Sequence, residues 1–440
     1  MHEAPQPQPP LLGSWQDLGS LEAIAAGVRA GTIDPVALAD RAIERANAVQ
    51  ELNAVVYLDA ERVRADAARA TDGPLAGIPV LVKEIIEVEG MPFTCGSAVF
   101  AGRRADRDAD IVRRLRNAGA VVLGLSHSHE FAYGPTGQSN VTGPSHNPHD
   151  PTRITGGSSA GSAAGVAAGI TPLAIGTDTA GSVRIPAALC GIVGAMPTRQ
   201  RLPRDGVFPL SSTLDHLGLF AHSVEDARYA LASLTHDDFG GGAIDQPLLG
   251  IPTNPQLQDS TDEVAAAFDH ARTRFPKTVN LELPDWPDLL ATGFDLQGPE
   301  AAAVHADTFP ARADEYQPDV KIRLTDAFAV PGWRYVRAKA HAAEIARAAD
   351  DVLRSVDAVI FPTLPITTPP ASETHGTVPS GTYLVRDLLI RNNRLANLTD
   401  HPCVTIPLPS KGLPIGLAIL AADDSKALSV AAWIENRLRA

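Results

Sequence analysis

Serines and glycines are concentrated in two short runs of this 440-residue chain. Residues 156–162 read GGSSAGS, and residues 176–186 read GTDTAGSVRIP. Glycine lets the backbone approach a ligand closely because it has no Cβ, and successive backbone N–H groups in such turns form an anion site. A serine beside such a site can attack a carbonyl carbon while backbone amides stabilise the oxyanion. The pattern therefore predicts acyl-transfer chemistry.

Two other uses of glycine-rich segments fit these residues less well. A phosphate-binding P-loop needs a Gly-Lys pair followed by Ser or Thr, and neither run contains one. A membrane span needs about 20 mostly apolar residues, whereas residues 154–177 hold few large apolar side chains. Gly161, Gly165 and Gly169 recur every four residues. They therefore predict one closely packed face of a helix over residues 159–169.

A lysine lies upstream at the end of an apolar run, since residues 77–83 read GIPVLVK. Together with the two serine runs and the RIPAA sequence that starts at Arg184, this lysine resembles the amidase signature family. The resemblance implies a Ser-Ser-Lys triad, in which Lys83 is the base, Ser158 relays the proton and Ser182 is the nucleophile. It also implies a cis peptide bond before Ser158.

The chemistry explains why such a lysine should be buried. Lys83 can accept a proton only when it is neutral, and an ordinary lysine titrates near pH 10.4. Moving that pKa to about 7 requires roughly 4 kcal/mol of disfavoured charge, which burial at the end of an apolar strand can supply. The resemblance implies that Lys83 takes the proton of Ser158, which takes that of Ser182, and that an acyl-enzyme forms on Ser182.

The resemblance also implies the roles of neighbouring residues. The oxyanion is expected to accept hydrogen bonds from the backbone N–H groups of the nucleophile turn: Thr179, Ala180, Gly181 and Ser182. Most relatives have glycine where Ala180 stands, but alanine keeps the N–H group. Ser159 is expected to hydrogen-bond Lys83. Asp178 and Arg184 are expected to brace the nucleophile turn as a pair.

The substrate pocket is the least defined part of this interpretation. Its candidate lining residues are Phe131, Tyr133, Gly134 and Phe208, with packing in the core as the alternative for each. An apolar mouth without an obvious charged anchor favours a neutral aryl or alkyl amide, an anilide or a carbamate (urethane). No cofactor is expected, because the triad needs none.

A metal-dependent amidohydrolase is one alternative. His127 and His129 form a His-x-His directly after a predicted strand over residues 120–125, and such a pair can bind zinc at a strand end. Alternating histidines at a strand end are more commonly solvated or hydrogen-bonded. The further ligands that a metal barrel needs are hard to assign downstream, and the metal hypothesis leaves both serine runs unexplained.

A transamidating subunit of a tRNA-dependent amidotransferase is the second alternative, because it would share the triad. Such a subunit depends on partner chains. This chain has 37 Lys and Arg against 51 Asp and Glu, a formal net charge of −14, which disfavours an extensive nucleic-acid-binding face. We therefore expect a small-molecule amide or carbamate as the partner, no nucleic acid and no membrane, in a monomer or homodimer.

Composition and periodicity define the expected organisation. Residues 1–12 are rich in proline and glutamine and predict a disordered lead-in. Residues 13–440 are expected to form one amidase signature domain, with a divergent substrate-pocket region at 231–356. Helices that alternate with short apolar strands predict an α/β fold, and the resemblance implies a large mixed β-sheet covered by helices on both faces. Three cysteines and no basic, apolar leader predict a reduced chain in the cytoplasm.

Overall fold

The computed structural model describes residues 14–239, 244–284 and 286–439. The predicted disordered lead-in, residues 1–12, lies outside these ranges. Within them, no helix combines the length and the apolar character needed to cross a bilayer.

The described ranges form thirteen strands. They are, in chain order, β1 (Val55–Leu58), β2 (Pro79–Lys83), β3 (Val121–Ser126), β4 (Leu173–Asp178), β5 (Val193–Met196), β6 (His216–Ala221), β7 (Leu249–Pro252), β8 (Thr278–Leu281), β9 (Ala358–Pro362), β10 (His375–Val378), β11 (Gly381–Leu384), β12 (Cys403–Leu408) and β13 (Ile415–Leu420).

Eleven of these strands form one sheet in the order β1-β3-β2-β4-β6-β5-β12-β13-β9-β7-β8. β2 runs parallel to both β3 and β4, whereas β4 and β6 are antiparallel. All residues of β2, β3 and β4 are buried, as expected for strands covered on both faces. The large mixed sheet confirms the predicted fold class. β10 and β11 form a separate antiparallel hairpin.

Sixteen α-helices surround the sheet in the described part of the chain. They are α1 (Leu21–Arg29), α2 (Pro35–Ala48), α3 (Ala60–Ala67), α4 (Asp110–Asn117), α5 (Ala160–Ala167), α6 (Arg184–Cys190), α7 (Val224–Thr235), α8 (Pro255–Gln258), α9 (Asp262–Arg272), α10 (Trp286–Val304), α11 (Phe309–Arg312), α12 (Pro318–Phe328), α13 (Gly332–Arg354), α14 (Val385–Arg391), α15 (Arg394–Thr399) and α16 (Asp424–Arg439).

The glycine-rich helix α5 shows how small residues position the serine run. A Cβ built on Gly161 would lie 2.1 Å from the carbonyl oxygen of Ala54, and one on Gly165 would lie 2.4 Å from Leu81 Cδ1. Only glycine therefore lets α5 approach its neighbours this closely. Gly169 has a different role, because it follows the helix with a φ of +73°, a conformation that glycine adopts without strain.

The divergent region, residues 231–356, forms one edge of the sheet and much of the helical layer above it. It contributes β7 and β8, which lie at the end of the strand order, and helices α8 to α13. Helix α10 packs against both α12 and α13. These helices supply side chains to the cavity that contains Ser182.

Candidate active site

Strand pairing brings the lysine and the two serine runs together. β2 and β4 are parallel neighbours, with Val82 opposite Ile175. Lys83 ends β2 and is fully buried, and its Nζ lies 2.7 Å from Ser158 Oγ and 2.7 Å from Thr177 Oγ1. Ser158 and Thr177 lie 75 and 94 positions after Lys83 in the chain, yet both hydroxyl groups hydrogen-bond to its amine.

Burial changes the protonation of Lys83. Desolvation lowers the pKa of the ammonium group from its usual 10.5 to about 7, although the negative charges of Asp178, Asp215 and Glu84 act in the opposite direction. None of these carboxylates forms an ion pair with Lys83 within the described residues. A substantial fraction of the amine is therefore neutral near pH 7, as a general base requires.

The segment around Ser158 is fixed through its backbone. The Gly157–Ser158 peptide bond is cis, and the Ser158 carbonyl accepts a hydrogen bond of 2.9 Å from the His129 amide. The Ser159 amide donates to the Ser182 carbonyl at 3.3 Å. The two serine runs are therefore in direct contact beside Lys83.

Ser159 does not have the partner expected from the sequence. Its hydroxyl donates to the Thr177 carbonyl at 3.0 Å and accepts from the Thr177 amide at 3.2 Å. The hydroxyl that bonds to Lys83 besides Ser158 belongs to Thr177. The expected Ser159–Lys83 bond is therefore wrong, because Ser159 pairs with the backbone at the end of β4.

A buried carboxylate shapes the nucleophile turn. Asp178 accepts hydrogen bonds from the amides of Gly181 (2.7 Å) and Val183 (3.1 Å) and from the Arg184 guanidinium (2.9 and 3.0 Å). Burial alone would raise the pKa of the Asp178 carboxyl, but Arg184 and the hydrogen bonds outweigh it and hold that pKa below its usual range. Asp178 therefore stays charged and holds the turn in place.

Two asparagines near the end of the chain complete this network, and sequence reasoning missed both. Asn397 donates from Nδ2 to Asp178 Oδ1 at 2.9 Å and accepts from Arg184 at 2.8 Å. The Asn393 carbonyl accepts from Arg184 at 3.0 Å. These partners are more than 200 positions from Arg184 along the chain, so local sequence gave no signal for them. Thr177, in contrast, lies within the second serine run, one residue before the end of β4.

The oxyanion donors differ from expectation at one position. The Gly181 amide donates to Asp178, so it is already engaged. Thr179, Ala180 and Ser182 line the adjoining cavity, and Ser182 keeps 7 % of its surface exposed. The backbone N–H groups of Thr179, Ala180 and Ser182 therefore remain as candidate hydrogen-bond donors to an oxyanion.

A cavity of about 300 Å³ opens at Ser182. Tyr133 and Gly134 line it, as expected. Phe131 does not: it is fully buried, with its ring 5.2 Å from that of Phe100 and 5.1 Å from that of Phe208. Phe208 lines an adjacent cavity of about 340 Å³. The expected lining role is therefore wrong for Phe131, which belongs to an aromatic core, and Phe208 lies one cavity away.

The cavity also contains charged side chains. It combines apolar residues such as Leu210, Phe294 and Ile390 with five charged residues, namely Asp295, Arg323, Asp326, Arg334 and Arg386. The expectation of a mouth without a charged anchor is therefore wrong. All five charged residues lie in the divergent helices or in α14, where single-sequence motifs gave no guidance.

The two histidines of the His-x-His motif have separate partners. His127 Nε2 lies 2.9 Å from the Gly143 carbonyl, and His129 Nε2 lies 3.0 Å from Asp319 Oδ2. Across residues 14–239, 244–284 and 286–439, no group of three His, Cys, Asp or Glu side chains is arranged to hold a metal ion. A Cβ on Gly134 would lie 2.2 Å from His129 Nε2, so the His129 ring packs directly beneath the cavity wall.

Comparisons with known proteins identify the family of this chain. The family model described as Amidase matches residues 37–426. A 2-amino-5-chloromuconic acid deaminase of Comamonas testosteroni is 34 % identical over 445 residues, which cover 94 % of this chain and 95 % of that protein. A glutamyl-tRNA(Gln) amidotransferase subunit from Deinococcus deserti is 38 % identical over 306 residues, 64 % of this chain and 63 % of that protein.

A solved structure described as an amidase superposes with a TM-score of 0.91 at 33 % identity. The alignment covers 95 % of this chain and 100 % of that one. The family match extends over the lysine strand, both serine runs and the divergent helices. The chain therefore belongs to the amidase signature family of amide hydrolases.

Proposed function

We propose that this chain hydrolyses the C–N bond of a small-molecule amide or carbamate through an ester intermediate on Ser182. The observation that carries the proposal is the buried contact of 2.7 Å between Lys83 Nζ and Ser158 Oγ, in a run whose Ser159 amide donates to the carbonyl of Ser182 at the cavity. A lysine whose pKa is about 7 can act as a base at neutral pH.

Acylation begins with neutral Lys83. Its amine donates one N–H to Thr177 Oγ1, and its lone pair accepts the proton of the Ser158 hydroxyl. Ser158 Oγ takes the proton of Ser182 as Ser182 Oγ bonds to the substrate carbonyl carbon. The oxyanion accepts hydrogen bonds from the Thr179, Ala180 and Ser182 amides, and loss of one such donor typically costs about 10²–10³ in rate.

The tetrahedral intermediate then loses its nitrogen group. Ser158 gives a proton to the leaving nitrogen as the C–N bond breaks, and Lys83 returns a proton to Ser158. Water repeats the sequence on the ester: it loses a proton through Ser158 to Lys83, and the Ser182 oxygen leaves with that proton. One water is consumed, and an acid and an amine are released, or carbon dioxide, an alcohol and an amine from a carbamate.

The size of the cavity favours a small-molecule substrate. The cavity volume of about 300 Å³ lies at the lower end of the range for ligand pockets. Leu210, Phe294 and Ile390 can contact an aryl or alkyl group. Amides, anilides and carbamates all present the required carbonyl and remain candidates. The charged side chains in the cavity remove the basis for requiring a neutral substrate.

A panel of p-nitroanilides, primary amides and small carbamates tests the activity. We expect turnover by the purified chain and none by Ser182→Ala, while Ser410→Ala, a change of an exposed serine, retains the wild-type rate. A fluorophosphonate or activated-acyl probe should label Ser182 in peptide mapping. Labelling of another residue would rule out the assigned nucleophile.

A transamidating role remains the second candidate, because the Deinococcus deserti relative is one chain of such an enzyme. A protein that depends on partner chains would show little hydrolysis in isolation, so turnover by the purified chain argues against this role.

Cytoplasmic location and a monomeric or homodimeric state are also proposals. The free, buried thiols of Cys95, Cys190 and Cys403 are consistent with a reducing compartment, and light scattering tests the oligomeric state.

A further inference from the structure

The arginines of the active-site cavity differ in what they bind. Arg334 forms a two-point ion pair with the buried Asp295 at 2.5 and 3.0 Å. Arg323 contacts Asp319 at 2.7 Å and the Tyr133 carbonyl at 2.6 Å. Arg334 therefore has two nitrogens bound to a carboxylate, whereas Arg323 binds protein oxygens through Nη1 alone.

Arg386 is the more exposed of the cavity arginines that pair with a carboxylate through one nitrogen only. Its Nε lies 3.1 Å from Asp387, its own chain neighbour, and its side chain is 38 % exposed. Asp387 lines a different cavity. Within the described ranges, the two terminal nitrogens of Arg386 have no protein partner. These nitrogens present the planar pair of donors that suits a carboxylate.

A second cation lies behind the same wall. Arg394 is fully buried, donates to Gln297 Oε1 at 2.8 Å and lies 5.1 Å from the Phe294 ring. Gln297 and Phe294 both line the cavity. The Nε and Nη2 atoms of Arg394 have no partner in the described structure, and no ion pair neutralises the group there. A buried charge without a counter-ion raises the potential around it.

The charged groups around the cavity also act on Tyr133. Burial raises the pKa of its hydroxyl, whereas the positive charges of Arg323, Arg394 and Arg386 lower it and the charge of Asp326 raises it. Burial is the larger effect, so the pKa of Tyr133 stays above its usual value, while the cavity lining itself holds three arginines against two aspartates. The chain as a whole has a net charge of −14, so the positive character belongs to this site and not to the protein in general.

We propose that the substrate carries a carboxylate, remote from the bond that is cleaved, and that Arg386 binds it within the positive field of Arg394. The proposal rests on the proposed amidase function and names its substrate class. Arg386 is then the specificity-determining residue. Asp326, which is exposed on the α12 side of the cavity, repels this carboxylate and favours its placement toward α14.

Matched substrates test the proposal. One series pairs the monoanilides of glutaric and adipic acid with the n-alkanoyl anilides of equal carbon number, and a second pairs N-acyl ω-amino acids with N-acyl alkylamines. We expect the wild type to favour the carboxylates in kcat/KM by about ten-fold or more in at least one series, mainly through KM. Added salt should reduce this preference.

Variants test whether Arg386 causes the preference for carboxylate substrates. Arg386→Gln should lower the ratio of the anionic to the neutral substrate to within about two-fold, and Arg386→Lys should retain part of it. Arg354→Gln, which removes an arginine that is 66 % exposed on α13, should keep the wild-type ratio. Asp326→Asn should increase the ratio. A wild type that prefers the neutral partner in both series, or a ratio that Arg386→Gln leaves unchanged, overturns the proposal.

A binding measurement tests the proposed carboxylate site independently of the proposed amidase activity. Binding of the same pairs to Ser182→Ala, measured by calorimetry, compares the affinities without turnover. Tighter binding of the carboxylates that disappears in Ser182→Ala/Arg386→Gln supports the site even if no anilide is cleaved. Equal affinities count against the site even if neutral amides are hydrolysed.

Discussion

Replacing Lys83 with methionine tests its proposed role as the base and measures the cost of its burial to the stability of the fold. Methionine keeps an unbranched, buried side chain but cannot accept a proton. We expect kcat/KM on any accepted amide to fall by about 10³-fold or more, because the Ser182 proton loses its acceptor. The chain should still fold, since Lys83 forms no ion pair in the described structure.

The lowered pKa of Lys83 sets how strongly the free energy of unfolding depends on pH. The folded-state pKa is about 7 and the usual value is 10.5. Between these values the unfolded chain binds one more proton than the folded chain, so stability rises with pH in this window. From pH 7 to pH 9 the wild type should gain about 2 kcal/mol relative to Lys83→Met. Below pH 7 both states bind the proton, and the difference should level off.

Urea denaturation of both proteins at several pH values measures this difference. Other titrating groups are present in both chains and largely cancel in the comparison. Lys411→Met, which changes an exposed lysine, should follow the wild type. Parallel pH dependences for wild type and Lys83→Met, within about 0.5 kcal/mol, would falsify the lowered pKa and with it the neutral base at pH 7.

Three further predictions concern the same centre. The pH profile of kcat/KM should rise through pH 6–8 and then level off, because Lys83 with a pKa of about 7 must lose its proton; a flat profile there would contradict the lysine base. Thr177→Val should move this inflection to lower pH, since it removes the 2.7 Å bond to Lys83 that also stabilises the charged amine, and an unchanged inflection would exclude that role. Asp178→Asn should destabilise the fold by about 3–5 kcal/mol in urea unfolding, because Arg184 keeps its buried charge and loses its carboxylate; a loss under about 1 kcal/mol would mean that other groups neutralise Arg184.

Local patterns predicted the elements well where capping and periodicity agree. Aspartate is a favoured N-cap residue and proline suits the first helical position; α2 begins at Pro35, and the Asp34 side chain accepts from the Val36 amide at 2.9 Å. The apolar run before Lys83 predicted a buried strand, and all five residues of β2 are buried. In these cases the information is local, so the sequence alone is sufficient.

Contacts between distant segments could not be read from the sequence in the same way. The choice between Ser159 and Thr177 as a partner of Lys83 depends on which side chain faces β2, which requires the strand register. Whether the Gly181 amide is available to an oxyanion depends on the orientation of the Asp178 side chain, which accepts a hydrogen bond from it. The charged residues of the cavity lie on α10, α12, α13 and α14, whose mutual packing no motif describes.

The asparagines that hold Arg184 have a consequence for how this enzyme can be divided. A fragment that stopped before residue 393 would still contain Lys83, Ser158 and Ser182, yet it would lack the groups that fix the orientation of Arg184 against Asp178. Ser182, the proposed nucleophile, would be present, but the turn that holds it would lose part of its support. The proposed catalytic residues therefore depend on the C-terminal helices, and a grafted or truncated version must include those helices.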